Sequence, residues 1–154
     1  MTPQPANLDP SFLTVMLVDD DDGDAKAVTR AFRSARVSNP IVRARDGVEA
    51  LEILNGTHPK TRIEPPFVLL VDINMPRMDG HEFVAALREH DDFRKHIVFM
   101  LTTSRDVDDI NRAYENNVAG YIVKEDAGGD FLRLAHTLDE FWMLVQKPAP
   151  HAPS

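Results

Sequence analysis

A chain of 154 residues has room for one domain with a proper hydrophobic core and little besides. Its 43% hydrophobic and 27% charged residues are the balance of a folded globular protein, and its formal net charge of -8 disfavours nucleic acid as a partner, because that binding draws on Lys and Arg neutralising phosphates. The absence of cysteine excludes a disulfide framework, a thiolate metal site and a cysteine nucleophile, and no apolar run approaches the roughly 20 residues that span a bilayer, so a cytoplasmic protein with no membrane partner is expected.

Residues 1–11 and 147–154 are rich in proline and small polar residues without apolar periodicity, and are expected as flexible tails around one domain spanning 12–146. Within that span five short apolar runs predict strands: Leu13 to Val18, Ile41 to Ala44, Phe67 to Val71, Ile97 to Leu101, and Gly120 to Val123. The third and fourth are almost continuously apolar, as parallel strands covered on both faces are. Between the first two, Ala25, Val28, Phe32 and Ala35 recur at helical spacing. The second helix is bracketed by Asp46 and Glu49 at capping-box-like spacing and by Gly56 at its end, with Val48, Leu51 and Leu54 as its stripe. Asp79-Gly80 reads as the turn into a third helix carrying Phe83, Val84 and Leu87, and a fourth carries Ile110, Ala113 and Tyr114. The last helix, about Gly128 to Gln146, bears Phe131, Leu134, Leu138, Phe141, Trp142 and Val145, a stripe longer than a small sheet needs. Alternating strands and helices predict an α/β flavodoxin-like (βα)5 three-layer sandwich with parallel strand order 2-1-3-4-5.

In open α/β sheets ligands bind beyond the carboxyl ends of the strands, where strand order reverses. Here those ends carry Asp19 to Asp22, Asp72, Thr102-Thr103-Ser104 and Lys124. The assumed order makes the first and third strands neighbours, which brings Asp19, Asp20 and Asp72 together. Like charges that close need compensation, and Mg2+ suits a few carboxylates, a carbonyl and a phosphate guest. With a Lys amine and a Thr hydroxyl beside it, Asp72 has the surroundings of a carboxylate nucleophile in phosphoryl transfer. Asp21 and Asp22 read as a solvated helix N-terminus, favoured by the helix dipole.

Val15-Met-Leu-Val-Asp-Asp20, Leu70-Val-Asp-Ile-Asn-Met-Pro-Arg-Met-Asp-Gly80, Met100-Leu-Thr102 and Gly120-Tyr-Ile-Val-Lys124 resemble, in order and spacing, the signatures of CheY-like receiver domains over roughly residues 12 to 146. The resemblance implies a single-domain two-component response regulator that takes a phosphoryl group on Asp72 from a sensor histidine kinase. It is then a phosphoacceptor with at most slow autodephosphorylation rather than an enzyme. It further implies Mg2+ bound by Asp20 and Asp72, by Asp19 mainly through water, and by the backbone carbonyl of Asn74. Thr102 and Lys124 would hold the phosphoryl group, Tyr121 would turn inward as Thr102 moves, and Asn74 and Ser104 would tune its lifetime.

The chain departs from the family at Glu125, where a Pro usually follows the Lys, often after a cis bond that a non-Pro residue adopts only at about 2.5–4 kcal/mol. The Phe141-Trp142 pair before a Pro-containing tail is similar to single-domain regulators that serve bacterial phytochrome kinases. It suggests a homodimer through the fourth helix, fifth strand and fifth helix, with Phe141 and Trp142 at the interface and Trp142 packed within the monomer as the alternative. A haloacid-dehalogenase-like phosphatase would want Asp-x-Asp where this chain has Asp72-Ile-Asn74, and a flavodoxin-type nucleotide carrier would want a Gly/Ser/Thr-rich phosphate loop where it has aspartates. A pseudo-receiver that ignores phosphate is motivated by Glu125 alone.

Overall fold

The structure, a computed structural model, describes residues 13–35, 39–127 and 131–144. The end segments expected as tails lie outside those residues. Five strands, β1 (Thr14–Val18), β2 (Ile41–Ala44), β3 (Phe67–Val71), β4 (Ile97–Thr102) and β5 (Gly120–Val123), form one parallel sheet in the order β2-β1-β3-β4-β5. The helices are α1 (Asp22–Ser34), α2 (Gly47–Asn55), α3 (Gly80–Glu89), α4 (Val107–Glu115) and α5 (Leu132–Leu144). This is the flavodoxin-like arrangement read from the alternating pattern. Among the described residues no helix is long and apolar enough to cross a membrane.

Strand alternation splits the core into two layers. Val15, Leu17, Val68, Leu70, Phe99 and Leu101 face Val28, Phe32, Leu134 and Leu138 of α1 and α5. Met16, Val18, Leu69, Val71, Val98 and Met100 face Ala50, Ile53, Phe83, Leu87 and Ala113 of α2, α3 and α4. Both faces of β1 and β3 are therefore covered, which is why their sequences are apolar without alternation. A fully buried Leu, Val or Phe of this kind contributes roughly 1.5–3 kcal/mol.

The helix signals are realised locally. Asp46 caps α2 by accepting from the Glu49 amide at 2.9 Å, and Gly56 closes it in the left-handed conformation at φ 76°. Glu49 returns its carboxylate to the amide of Arg45 rather than to that of Asp46, so the capping box is displaced by one residue. In α3 the box is complete between Asp79 and Glu82. At the far end of α3, Arg88 donates to the carbonyls of Arg94, His96, Asn116 and Asn117, each at 2.8 Å, tying the loops before β4 and after α4 together.

Three elements differ from the sequence reading. β4 runs one residue further, placing Thr102 opposite Val123 in the ladder. The α4 stripe is narrower than expected: Ala113 is buried, Ile110 half-buried, and Tyr114 is 49% exposed. The last helix begins at Leu132, because Lys124–Ala127 form a separate 3-10 turn and Phe131, at φ 60°, cannot continue a right-handed helix. Its carbonyl accepts the first helical bond, from Ala135 at 3.1 Å.

Gly80 fixes the approach of α3 to β3. Its amide donates to the Ile73 carbonyl at 2.8 Å, and a Cβ there would lie 2.2 Å from the carbonyl oxygen of Asp72. That atom is backbone and cannot yield. Gly80→Ala is expected to destabilise the fold by about 2–4 kcal/mol, read as a lowered denaturation midpoint at unchanged slope.

His96 stacks on Phe67 at 4.1 Å, and burial, with the charge of Arg88, pulls its pKa below the ordinary histidine value. The unfolded chain then binds the extra proton, so the contribution is complete above about pH 6.5 and is lost as pH falls through that value toward the folded pKa. Thermal midpoints measured from pH 7.5 to 5.5 are expected to fall more steeply for the wild type than for His96→Phe.

Candidate functional site

The carboxyl ends of β1, β3, β4 and β5 converge on one pocket. Asp19 and Asp72 each sit one residue past neighbouring strands, their backbone amides prolonging the ladder to Ala44 and Val18 at 3.0 and 2.9 Å. Both carboxylates are buried, whereas Asp20 is exposed. One oxygen from each of Asp19, Asp20 and Asp72 lies within 4.8 Å of the others. The expected acidic cluster is thus assembled.

Lys124, 7% exposed, enters from the end of β5. Its Nζ donates to Asp19 Oδ2 at 2.8 Å and Asp24 Oδ2 at 2.8 Å and faces Asp72 Oδ2 at 3.3 Å, one carboxylate for each of its hydrogens. Burial alone would depress its pKa, but the hydrogen bonds to Asp19 and Asp24 and the charge of Asp72 outweigh that and push it upward. Asp19 moves upward for a different reason: burial raises it more than the bonds from Lys124 and the Asp21 amide lower it. Three carboxylates around the ammonium, with Asp20 beside two of them, leave the pocket net negative, and the oxygens of Asp19, Asp20 and Asp72 fit a divalent cation such as Mg2+ or Mn2+.

Asp24 was not assigned from the sequence. It lies on the first turn of α1, where an aspartate reads as a helix-dipole partner, and its contact with Lys124 spans 100 residues. Asp21 and Asp22 take the roles read for them at the helix start. Asp21 is the N-cap, and Asp22 pairs with Arg43 at 2.6 Å and Arg45 at 3.3 Å. Arg43 also donates to the Asp19 carbonyl at 2.9 and 3.2 Å, holding the turn that presents the acidic pair.

Asn74 is exposed, two residues past Asp72. Its loop is bent by Arg77, at φ 64°, whose guanidinium grips both oxygens of buried Asp46 at 2.7 and 3.0 Å. Asp72 Oδ1 accepts from the Ile73 amide at 2.7 Å, which orients the carboxylate. Thr102, fully buried, accepts from the Ser104 amide at 3.4 Å, and Tyr121, half-buried, donates its hydroxyl to the Ser104 carbonyl at 2.9 Å. Among the described residues the cis peptide bond is Pro65-Pro66, so Lys124-Glu125 is trans. Arg105 braces the 3-10 turn beyond it, 2.9 Å from Asp126 and 3.7 Å from Glu125. Phe141 packs edge-on against Phe99 at 5.1 Å, at the rim of the core, while the side chain of Trp142 lies outside the described residues.

Residues 15–134 match the response regulator receiver domain model. The response regulator Rcp1 of Synechocystis sp. is 27% identical over 129 residues, which are 84% of this chain and 88% of that protein. The probable methanogenesis regulatory protein FilR2 of Methanothrix harundinacea is 34% identical over 84% of this chain and 83% of its own. Among solved structures, the Mn(2+)-bound form of Rcp1 superposes with a TM-score of 0.75 at 27% identity, covering 89% of this chain and 99% of that one. The phosphorylated cyanobacterial phytochrome response regulator RcpA gives 0.77 at 27% identity, covering 90% and 99%. With the strand order, the carboxylate cluster and the lysine beside it, these matches show that the chain belongs to the response regulator receiver domain family.

Proposed function

We propose that this protein is a single-domain response regulator whose Asp72 accepts a phosphoryl group from the phosphohistidine of a sensor kinase. The observation that carries the reading is Lys124 Nζ set among Asp19, Asp24 and Asp72 while oxygens of Asp19, Asp20 and Asp72 gather within 4.8 Å. A carboxylate oxygen of Asp72 forms a bond to phosphorus, the phosphorus–nitrogen bond breaks, and the electron pair returns to the imidazole, leaving an acyl phosphate. Lys124, held charged by its carboxylates, neutralises the spreading oxygen charge, and Thr102 offers its hydroxyl to the arriving group. Asp19, Asp20, Asp72 and the Asn74 carbonyl are the groups that would hold Mg2+, which when bound offsets the negative charge of the phosphoryl oxygens. Nothing in this chemistry turns over a substrate, so the protein is a switch rather than an enzyme. Support comes from the structures of relatives described as Mn(2+)-bound and as phosphorylated.

The relative described as a cyanobacterial phytochrome response regulator supports a bacterial phytochrome kinase as the donor, and the net charge of -8 supports a cytoplasmic protein without nucleic acid or membrane among its partners. The face of α4, β5 and α5 is the proposed homodimer surface. Val107, 67% exposed, and Tyr114 give α4 apolar groups that the core does not use. Phe141, edge-on against Phe99 at the rim of the core, continues the proposed surface on α5, and Trp142 follows it in the sequence.

Incubation with acetyl phosphate and Mg2+ is expected to add one phosphoryl group by intact mass, with no adduct on Asp72→Asn or in EDTA. A wild type that stays unmodified, there and with histidine kinases, would return the chain to the pseudo-receiver reading. Lys124→Met is expected to slow uptake by about 10–100-fold in the same assay, the size of effect expected when a preorganised charge is removed from a buried site. Transfer from a phytochrome kinase should outpace transfer from unrelated kinases by about tenfold or more, a difference of roughly 1.4 kcal/mol in barrier. Sedimentation equilibrium is expected to show a dimer that Val107→Asp with Tyr114→Asp dissolves; a monomer with and without phosphorylation removes the dimer proposal.

A further inference from the structure

Asp24 stands outside the carboxylates gathered for a cation, yet it meets Lys124 as closely as Asp19 does, at 2.8 Å. It lies on the first turn of α1, and its backbone is fixed there. The Asp24 amide donates to Asp21 Oδ1 at 2.9 Å, and the Asp21 amide donates to Asp19 Oδ1 at 2.9 Å. Lys124 Nζ in turn donates to Asp24 Oδ2 and to Asp19 Oδ2. These contacts close into a ring, from Asp19 through Asp21 and Asp24 to Lys124 and back to Asp19, which joins the turn after β1 to the end of β5. The ring places two of the ammonium's three hydrogens, and the third faces Asp72 at 3.3 Å.

The three partners of Lys124 differ in what the reaction does to them. Asp72 gives up its carboxylate charge when one of its oxygens bonds to phosphorus. Asp19 belongs to the group that would hold the cation, so its charge is divided between metal and ammonium. Asp24 is altered by neither. A lysine side chain is a flexible four-carbon stem ending in a strongly hydrated charge, and water competes for that charge once its partners are drawn elsewhere. Asp24, whose side chain at 33% exposed is the most accessible of the three, is the carboxylate left to hold it.

We infer that Asp24 is a positioning residue for phosphoryl transfer, which keeps Lys124 Nζ beside Asp72 while the charge on Asp72 is consumed. This rests on the reading of Asp72 as phosphoacceptor. The role is the opposite of a bystander anion's. A further carboxylate acting through its charge alone would repel the incoming phosphoryl group, and its removal would speed uptake. A carboxylate acting through Lys124 slows uptake when it is removed, and does so only while the lysine is present.

The test compares, in the full chain, wild type, Asp24→Ala, Asp24→Asn, Lys124→Met and the double variant Asp24→Ala with Lys124→Met. The initial rate of uptake is measured against acetyl phosphate concentration at saturating Mg2+, and the proton–nitrogen NMR signal of the Lys124 ammonium reports how firmly it is held. Asp24→Ala is expected to lower the maximal rate by about 3–10-fold, the size of one hydrogen bond between charged groups that water partly screens, with the half-saturating concentration unchanged. Its ammonium signal should be lost to exchange with water. Asp24→Asn keeps an oxygen acceptor and should recover part of both. Beside Lys124→Met, Asp24→Ala should slow uptake no further, because the two residues act as one unit. Uptake by Asp24→Ala at or above the wild-type rate, or a slowing that persists undiminished beside Lys124→Met, would overturn the positioning role alone. Should Asp24→Ala fail to fold, the same comparison with Asp24→Asn decides. A wild type without uptake would overturn the phosphoacceptor reading, and the positioning role with it.

Discussion

One ammonium group among carboxylates governs how this molecule is built. Lys124 Nζ sits within 3.3 Å of Asp19, Asp24 and Asp72, and all but Asp24 are withdrawn from solvent. Three anions brought that close would repel one another without it, and an unpaired buried charge costs several kcal/mol. Neighbouring structure serves to hold this arrangement. The β1–β3 pairing fixes Asp19 beside Asp72, β5 delivers the lysine, and the first turn of α1 supplies Asp24. Arg43 holds the Asp19 turn from outside, and Gly80 lets α3 close on the backbone behind Asp72.

The two ends of the sheet are organised differently. At the amino end, Arg88 ties loops to one another through backbone carbonyls, a static brace in which carbonyl dipoles meet the guanidinium charge. At the carboxyl end, buried and half-buried polar groups are joined in series from the pocket outward, through Thr102 and Ser104 to Tyr121, Asp109 and His81. A polar chain of that kind resists small displacement but can exchange partners, whereas packed apolar layers cannot. The acceptor site and the loosely packed α4 are at opposite ends of this chain. Membership of the receiver family gives the arrangement its context, and the residues beyond Thr102 give this chain its own version of it.

Much of this was legible in the sequence, for identifiable reasons. Strand runs, helix stripes and the caps at Asp46, Asp79 and Gly56 are local signals, set by period and by backbone conformation within a few residues. The acidic cluster was legible because strand order carries Asp19 to Asp72 once the topology is assumed. Partners joined across long separations were not. Nothing in the spacing of Asp24 distinguishes a ligand of Lys124 from a helix-dipole aspartate, and nothing around Arg77 or Asp46 announces their pairing. His81 reads as one more polar residue at a helix start, because hydropathy cannot tell that its turn is buried. Tyr114 erred the other way: helical spacing marks a face, but how much of that face the sheet covers depends on where α4 lies.

Metal binding to the unphosphorylated protein tests the acidic pocket most directly, because it needs neither kinase nor phosphate. Titration with Mn2+, followed by loss of the free-ion EPR signal and reversed by Mg2+, is predicted to saturate at about one ion per chain, the occupancy of a single oxygen-donor site. Asp20→Asn and Asp72→Asn should each weaken that binding by about tenfold or more, while Asp22→Asn, on the solvated helix start, should leave it unchanged. Saturable binding that ignores Asp20 and Asp72, or no binding at all, would contradict the account of a metal-assisted phosphoryl site.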